Sequence, residues 1–184
     1  MSEFLGIDIK TLDNGGFKFC QTGLIRKVLE ATGMEHYNVL PIPTEVEAYL
    51  GTDTNCFDVK RYWPNSYASV IGMMLYLASN TRPDISYAVH QCARFTHNTK
   101  VSHDTDVKRI CWYLQGTKDN GLMFNPSKKM VVYFYADADF TGLWGPICAR
   151  SRTGFVVFFV SCLLLWVSKL QTEIALFTLH FKYV

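Results

Sequence analysis

The pattern of apolar and polar positions at the start of the chain predicts a β-hairpin. Apolar residues recur through residues 4–9 and 16–20, and the sequence Asp13-Asn14-Gly15-Gly16 separates the two runs. An Asn-Gly dipeptide between such runs is the strongest short-range hairpin signal, because both residues tolerate the positive φ angles of tight turns. The first predicted element is therefore a pair of strands that turn near Gly15.

Four stretches with helical periodicity follow the hairpin. The first predicted helix covers residues 21–32 and ends at Gly33, and the second covers residues 66–79 with Ser66 as its cap. The third begins at Pro83, and the fourth runs from near Ser102 to Gly116. The apolar stripes are Leu24, Ile25, Val28 and Leu29; Val70, Ile71, Met73, Met74, Leu75 and Leu77; Ile85, Ala88, Val89 and Cys92; and Val107, Ile110, Cys111 and Leu114.

Two features refine this helical region. Residues 38–65 carry three prolines and mixed polar residues, which favours a loop or linker. Asp104 and Asp106 stand in the first turn of the fourth helix, where the positive end of the helix dipole favours acidic side chains.

The period changes after Gly121, where continuous apolar runs predict strands. The runs cover residues 130–136, 154–160 and 163–167 and are typical of strands buried on both faces. Residues 155–167 form the longest run, which is too short to cross a bilayer and is interrupted at Ser161-Cys162. We interpret that run as two strands joined by a tight turn, and the whole chain as an α+β protein.

Composition excludes some classes of protein and sets the cellular context. Of 184 residues, 49% are hydrophobic and 18% charged, which excludes a disordered chain. A net charge of +2 gives only weak support for a phosphate-binding protein. The six cysteines form no CxxC pair and the N-terminus resembles no signal peptide, so we expect reduced thiols and an intracellular protein in cytoplasm or nucleus, without membrane association.

Two groups of side chains are candidates for chemistry. Asp137 and Asp139 follow an apolar strand, and either bind Mg²⁺ or form a solvated pair where the strand ends. Lys108 and Arg109, close to aromatic residues on the fourth helix, either contact a nucleic-acid backbone or lie on a solvated helix face. Spacing alone leaves both choices open.

The chain resembles the C-terminal part of the Pol polyprotein of copia-type LTR retrotransposons. The resemblance extends over nearly the whole chain, through seven stretches in the family's order. They are EFLGIDI, QTGLIRKVLEATGM, YASVIGMMLYLASNTRPDISYAVHQCARFTHN, VKRICWYLQGTKDNGLMF, YADADFTG, RSRTGFVVFF and LLWVSKLQTEIALFT.

The resemblance implies a layout of three parts. Residues 1–40 are similar to the end of the reverse transcriptase palm, with a hairpin at Phe4, Leu5 and Gly6 that grips the primer end. Residues 41–118 are similar to the helical thumb and connection, which pack on the template–primer duplex. Residues 119–184 are similar to a truncated ribonuclease H domain, whose first three antiparallel strands are those predicted above.

The resemblance also assigns catalytic positions and shows where this chain departs from them. Asp137 matches the first metal-binding aspartate of the ribonuclease H site, and Asp139 is a neighbour that copia elements share without a clear catalytic role. Where the family has a glutamate after ALFT, this chain has Lys182, which cannot ligate Mg²⁺. We expect the other carboxylates to lie beyond Val184, and the polymerase Asp-Asp pair to precede Phe4.

These departures predict a degenerate, truncated Pol fragment without catalytic activity. Mg²⁺ serves the intact family, but we expect no cofactor and no small-molecule substrate here. One alternative is a module that binds RNA–DNA hybrid through Phe4, Leu5, Gly6, Lys108 and Arg109; the other is a host-adapted interaction protein. We also expect residues 120–184 to be poorly stable alone, because truncation leaves an apolar face and an open sheet edge.

Overall fold

A computed structural model describes residues 2–35, 38–44, 66–125, 130–138, 151–160 and 162–172. Over these residues the chain is an α+β protein with antiparallel strand pairs and four α-helices, as predicted. Asp139 and Lys182 lie outside them, as does most of the predicted 38–65 loop. In chain order the elements are β1 Ser2–Phe4, β2 Ile7–Thr11, β3 Phe17–Cys20, α1 Thr22–Thr32, α2 Tyr67–Asn80, a 3₁₀ turn Pro83–Ile85, α3 Ser86–Ala93, α4 Val101–Gly116, β4 Leu122–Phe124, β5 Val132–Ala138, β6 Arg152–Phe159 and β7 Cys162–Leu170.

The first sheet has the strand order β1-β2-β3-β4, and its β2–β3 pair is the predicted hairpin. Leu12 and Gly16 close its loop through a backbone hydrogen bond, and Gly15 has a φ of 77°, which glycine adopts without strain. The prediction of one strand over residues 4–9 is wrong. A second tight turn at Leu5 and Gly6 divides that stretch, because both residues have positive φ angles that no strand accommodates.

The four helices share one apolar core, and the predicted stripes supply most of it. Ser66 accepts a hydrogen bond from the amide of Ser69 and caps α2, as predicted. Gly33 ends α1 with a φ of 67°, in the left-handed region that favours glycine. The buried core consists of Ile25, Val28, Leu29, Ala31, Met34, Tyr67, Val70, Ile71, Met74, Leu77, Ala78, Ile85, Ala88, Val89, Cys92, Val107, Ile110, Cys111 and Leu114.

The second sheet has the order β5-β6-β7, and both strand pairs are antiparallel. Phe159 pairs with Cys162 across the β6–β7 connection, which confirms that the predicted strands are joined by a short connection; Ser161 itself lies outside the described residues. The expectation that these strands are buried on both faces is wrong. Strands β6 and β7 are mostly half-buried, and the difference is largest for β5. Its residues from Val132 to Asp137 are exposed, since a continuous apolar run reports β-propensity and not the presence of a covering layer.

The chain divides into two compact units. One comprises Met1–Thr11 and Phe17–Leu122, and the other Leu12–Gly16 and Met123–Val184. No helix within the described ranges is long and apolar enough to cross a membrane. Cys20, Cys92, Cys111 and Cys162 are free thiols, in agreement with the expectation for these four.

Candidate nucleic-acid interface

The turn between β1 and β2 presents two large apolar side chains to solvent. Phe4 pairs with Ile7 across the turn, so that Leu5 and Gly6 form a two-residue loop. Their φ angles, 51° and 73°, are those of a type I′ hairpin turn. Phe4 is 65% exposed and Leu5 is 70% exposed. The tip of this hairpin therefore places apolar surface where such turns usually carry Asn and Gly.

A tyrosine on α2 fixes the position of this turn. The hydroxyl of Tyr76 donates a hydrogen bond of 2.7 Å to the backbone carbonyl of Leu5. Tyr76 is itself 40% exposed, so the anchor lies at the surface beside the apolar tip. This hydrogen bond joins the β1–β2 hairpin to α2.

The outer side of α2 continues this surface with small residues. Ala68, Ser69 and Gly72 are exposed, and a Cβ atom added to Gly72 would meet nothing within 4 Å. Positions 69, 72 and 76 follow one another at helical spacing and share one side of the helix. We call the following residues the turn surface: Phe4, Leu5, Gly6, Ala68, Ser69, Gly72 and Tyr76.

Lys108 and Arg109, the predicted cationic contacts, lie on α4. The Nζ atom of Lys108 lies 2.6 Å from a carboxylate oxygen of Asp104, one helical turn earlier, and only 28% of the Lys108 side chain is exposed. Arg109 is half-buried. The structure brings Phe4, Leu5 and Gly6 together at the β1–β2 turn, which Tyr76 of α2 contacts, whereas Lys108 is paired with an acid of its own helix.

The first turn of α4 contains Asp104, as predicted, whereas Asp106 lies beyond it. Both acids are buried. The amide of Lys100 instead donates to Nδ1 of His103, whose ring stacks on Phe95 with centroids 3.9 Å apart. The helix dipole gives no indication of this burial, because it depends on the position of a residue along the helix and not on what covers it.

A buried arginine, which sequence reasoning missed, ties α4 to the segment that follows α2. Arg82 is 1% exposed and holds the carboxylate of Asp84 with its Nε and Nη2 atoms at 2.7–3.2 Å. Its guanidinium also donates to the carbonyl and the hydroxyl of Thr117, and Tyr113 donates to Asp84 at 2.7 Å. The available signal was an arginine just before a helix-starting proline, with an acid directly after it.

Burial and the ion pair with Arg82 shift the pKa of Asp84 in opposite directions. Burial by itself raises the pKa of this carboxyl, but the hydrogen bonds and charge of Arg82 outweigh that effect and hold the pKa below its usual value. Asp84 is therefore ionised at neutral pH and neutralises the buried guanidinium. This cluster supports the helical part on which the turn surface rests.

Comparisons with known proteins identify the family. An uncharacterized mitochondrial protein of Arabidopsis thaliana is 31% identical over 174 residues, 94% of this chain and 68% of the relative. The retrovirus-related Pol polyprotein from transposon RE1 of the same plant is 31% identical over 172 residues, 91% of this chain. The one from transposon TNT 1-94 of Nicotiana tabacum is 32% identical over 169 residues, 89% of this chain. The chain belongs to the copia-type retrotransposon Pol family.

The match covers only a small part of the copia-type Pol polyproteins, 11% of the RE1 protein and 12% of the TNT 1-94 protein. No family model matches the chain, and no solved structure matches it. The chain is thus derived from a Pol polyprotein, and whatever the whole polyprotein does is a matter of proposal for this part.

Asp137, the candidate metal ligand predicted from the sequence, lies near the end of β5. Its side chain is exposed and accepts a hydrogen bond of 2.9 Å from the amide of Ala138. Within the described ranges, no three His, Cys, Asp or Glu side chains come together as metal ligands do. The described residues therefore offer one carboxylate here and do not by themselves form a Mg²⁺ site.

Proposed function

We propose that this chain is a non-catalytic fragment of copia-type Pol that binds RNA–DNA hybrid through the turn surface. The observation that carries the proposal is the conformation of Leu5. This residue has a φ of 51° and is 70% exposed. Its backbone conformation is therefore unfavourable for leucine, and its apolar side chain is exposed to water.

The cost of Leu5 supports a role in binding. A non-glycine residue in the left-handed region costs roughly 1–2 kcal/mol, and Asn or Gly would occupy this turn position at lower cost. Residues with a strained backbone or an unfavourable exposure that does not stabilise the fold are concentrated at functional sites. An apolar tip that contacts the sugars and base edges of a duplex accounts for both the exposure and the strain.

Tyr76 and the outer side of α2 support the same surface. The hydrogen bond from Tyr76 to Leu5 limits the freedom of the turn before any ligand binds, which lowers the entropy lost on binding. The exposed small side chains of Ala68, Ser69 and Gly72 leave α2 flat beside the tip, so that a duplex can approach the helix closely.

Lys182 supports the absence of catalysis. The resemblance implies that copia-type Pol has a glutamate at this position as a metal ligand, and an ammonium group there would repel the two cations that hydrolysis needs. Asp137 has no counterpart among the described residues with which to share a metal ion. We infer a ribonuclease H-like origin for β5–β7, supported by their two successive antiparallel pairings and by an aspartate near the end of the first strand.

Fluorescence anisotropy with a labelled RNA–DNA hybrid tests the binding. The chain is titrated at several salt concentrations, with a duplex DNA of the same sequence as a comparison. Saturable binding that weakens with salt is expected, because any phosphate contact releases counterions. Absence of binding at 50 mM salt would overturn the proposal.

A parallel cleavage assay tests the second half of the proposal. The labelled hybrid is incubated with the chain in Mg²⁺ and in Mn²⁺, together with the Lys182→Glu and Asp137→Asn variants. No cleavage by any of the three proteins is the expected result. Cleavage by the parent chain that Asp137→Asn abolishes would show that the site assembles, and that the chain is an enzyme.

A further inference from the structure

The first sheet carries two rows of like charges on one face. The register pairs Glu3 with Asp8 across β1 and β2, and Lys10 with Lys18 across β2 and β3. Since side chains alternate along a strand, Asp8 and Lys10 lie on the same face, and their partners lie there with them. The rows are therefore one acidic pair and one basic pair, two residues apart.

This arrangement opposes the usual pairing preference. Like charges directly opposite one another destabilise a sheet, whereas a mixed pair stabilises it. Neither lysine forms an ion pair with a carboxylate among the described residues, where the two ion pairs found are Arg82–Asp84 and Lys108–Asp104. Both lysines are also half-buried.

We propose that Lys10 and Lys18 form a binding site for one phosphate group. Residues directly opposite one another on antiparallel strands have Cβ atoms about 4.5–5.5 Å apart, so the ammonium groups of Lys10 and Lys18 can reach different oxygens of the same anion. The acidic row borders the site on one side, so a phosphate group binds on the side of the lysines that faces away from Glu3 and Asp8. The ligand is thus a single phosphate, either free or part of a nucleic-acid backbone.

This inference rests on the proposed function where the bound phosphate belongs to a nucleic-acid backbone. Lys10 lies three residues from Ile7, at the base of the turn, which is about 10 Å along a strand. Successive base pairs rise about 3.4 Å, so a hybrid that contacts the turn surface places a phosphate near Lys10 within roughly three base steps.

A paired set of variants tests the site in the full chain. Lys10→Gln with Lys18→Gln removes the two charges of the site, and Arg26→Gln with Lys27→Gln removes two charges from the exposed side of α1 as a matched control. We expect the first pair to weaken hybrid binding roughly tenfold and to lower the salt slope by about one or two, and the control pair to change affinity less than twofold.

The Lys10→Glu variant separates binding from folding. It places opposite charges across β2 and β3, so the melting temperature is expected to rise while hybrid affinity falls. A structural role for the lysines would lower both quantities, or neither. If the Lys10 and Lys18 variants bind hybrid as the control does, the inference is wrong and the proposed function remains.

A titration with inorganic phosphate alone distinguishes the two sources. Proton–nitrogen NMR follows the ammonium and backbone signals of Lys10 and Lys18, with sodium chloride at equal ionic strength as the reference. Saturable shifts confined to this pair support the site even if hybrid does not bind, in which case only the proposed function fails. Shifts equal to those of the chloride reference would show that the site does not bind free phosphate. The hybrid affinity of the Lys10 and Lys18 variants then shows whether the site binds a phosphate of the nucleic-acid backbone.

Discussion

The hydroxyl of Tyr76 donates a 2.7 Å hydrogen bond to the carbonyl oxygen of Leu5, 71 positions earlier in the chain. This bond joins the exposed tip of the β1–β2 hairpin to the second helix. Because both partners are exposed, water can replace the bond, and its main effect is on the freedom of the turn and not on global stability.

Replacement of Tyr76 by Phe is expected to loosen the turn without unfolding the protein. Loss of one exposed hydrogen bond should lower the free energy of unfolding by about 0.5–1 kcal/mol. Amide exchange at Gly6 should become faster and hybrid affinity should fall severalfold. The Tyr133→Phe variant, which removes the same hydroxyl from the second sheet, is the control. Equal exchange at Gly6 in both variants would contradict the anchoring role.

Replacement of Leu5 by Asn is expected to stabilise the protein and weaken binding. Asn adopts positive φ angles more readily than Leu, so the free energy of unfolding should rise by about 0.5–1 kcal/mol. The same change removes the apolar tip, and hybrid affinity should fall. Urea denaturation and anisotropy measure the two effects on one preparation. A variant that is more stable and binds equally well would show that Leu5 is not a contact.

Residues at this hairpin show what local sequence patterns reveal and what they do not. Asn14-Gly15 predicted the β2–β3 turn correctly, because these residue types favour the required backbone. The Leu5-Gly6 turn has the glycine expected at its second position. Leucine at its first position favours a strand and not a turn. A turn that a nonlocal bond from Tyr76 helps to hold cannot be found from propensity alone.

The Arg82–Asp84 pair makes stability depend on pH in a defined direction. The pKa of Asp84 in the folded protein lies below its value in the unfolded chain, because Arg82 outweighs the effect of burial. Its contribution is therefore complete above the unfolded pKa, about 3.9, and is lost as pH falls through the lower folded value.

The Asp84→Asn variant tests this linkage. It leaves Arg82 buried without its carboxylate, and at pH 7 should cost about 2 kcal/mol. This is less than a fully buried pair would cost, because 33% of the Asp84 side chain is exposed. The difference from the parent should shrink below about pH 4. The exposed Asp119→Asn variant is the control, and a difference that stays constant down to pH 2 would contradict the linkage.

Two core thiols are expected to be inert until the protein unfolds. Burial raises the pKa of Cys92, and it raises the pKa of Cys111 to about 12 despite a hydrogen bond with Thr32. Since the thiolate is the reactive form, iodoacetamide at pH 8 should label neither residue in the folded chain and both in urea. Peptide mapping after a short pulse measures each site. Labelling of Cys111 before the unfolding transition would show that the helical core opens locally.

The helical core and the second sheet differ in how far the sequence predicted them. Stripes such as Ile110, Cys111 and Leu114 became buried as expected, since helical periodicity reports directly which side is covered. Strand β5 has no such periodicity, and its apolar run could not reveal that its side chains are exposed. The hydrogen bonds of Arg82 could not be predicted from local patterns either, because its partner Thr117 is distant in sequence.

Strand β5 is expected to promote self-association of the chain. It lies at one end of the described three-stranded sheet, and its apolar side chains are exposed, Val132 by 63% and Phe134 by 62%. An apolar edge strand without proline pairs readily with a second copy. A lysine in place of Val132 should lower the concentration dependence of both light scattering and melting temperature, since an edge charge opposes pairing. Val132→Thr keeps the shape and β-propensity without a charge, so it should change association less; if both variants associate like the parent, contacts elsewhere in the chain drive it.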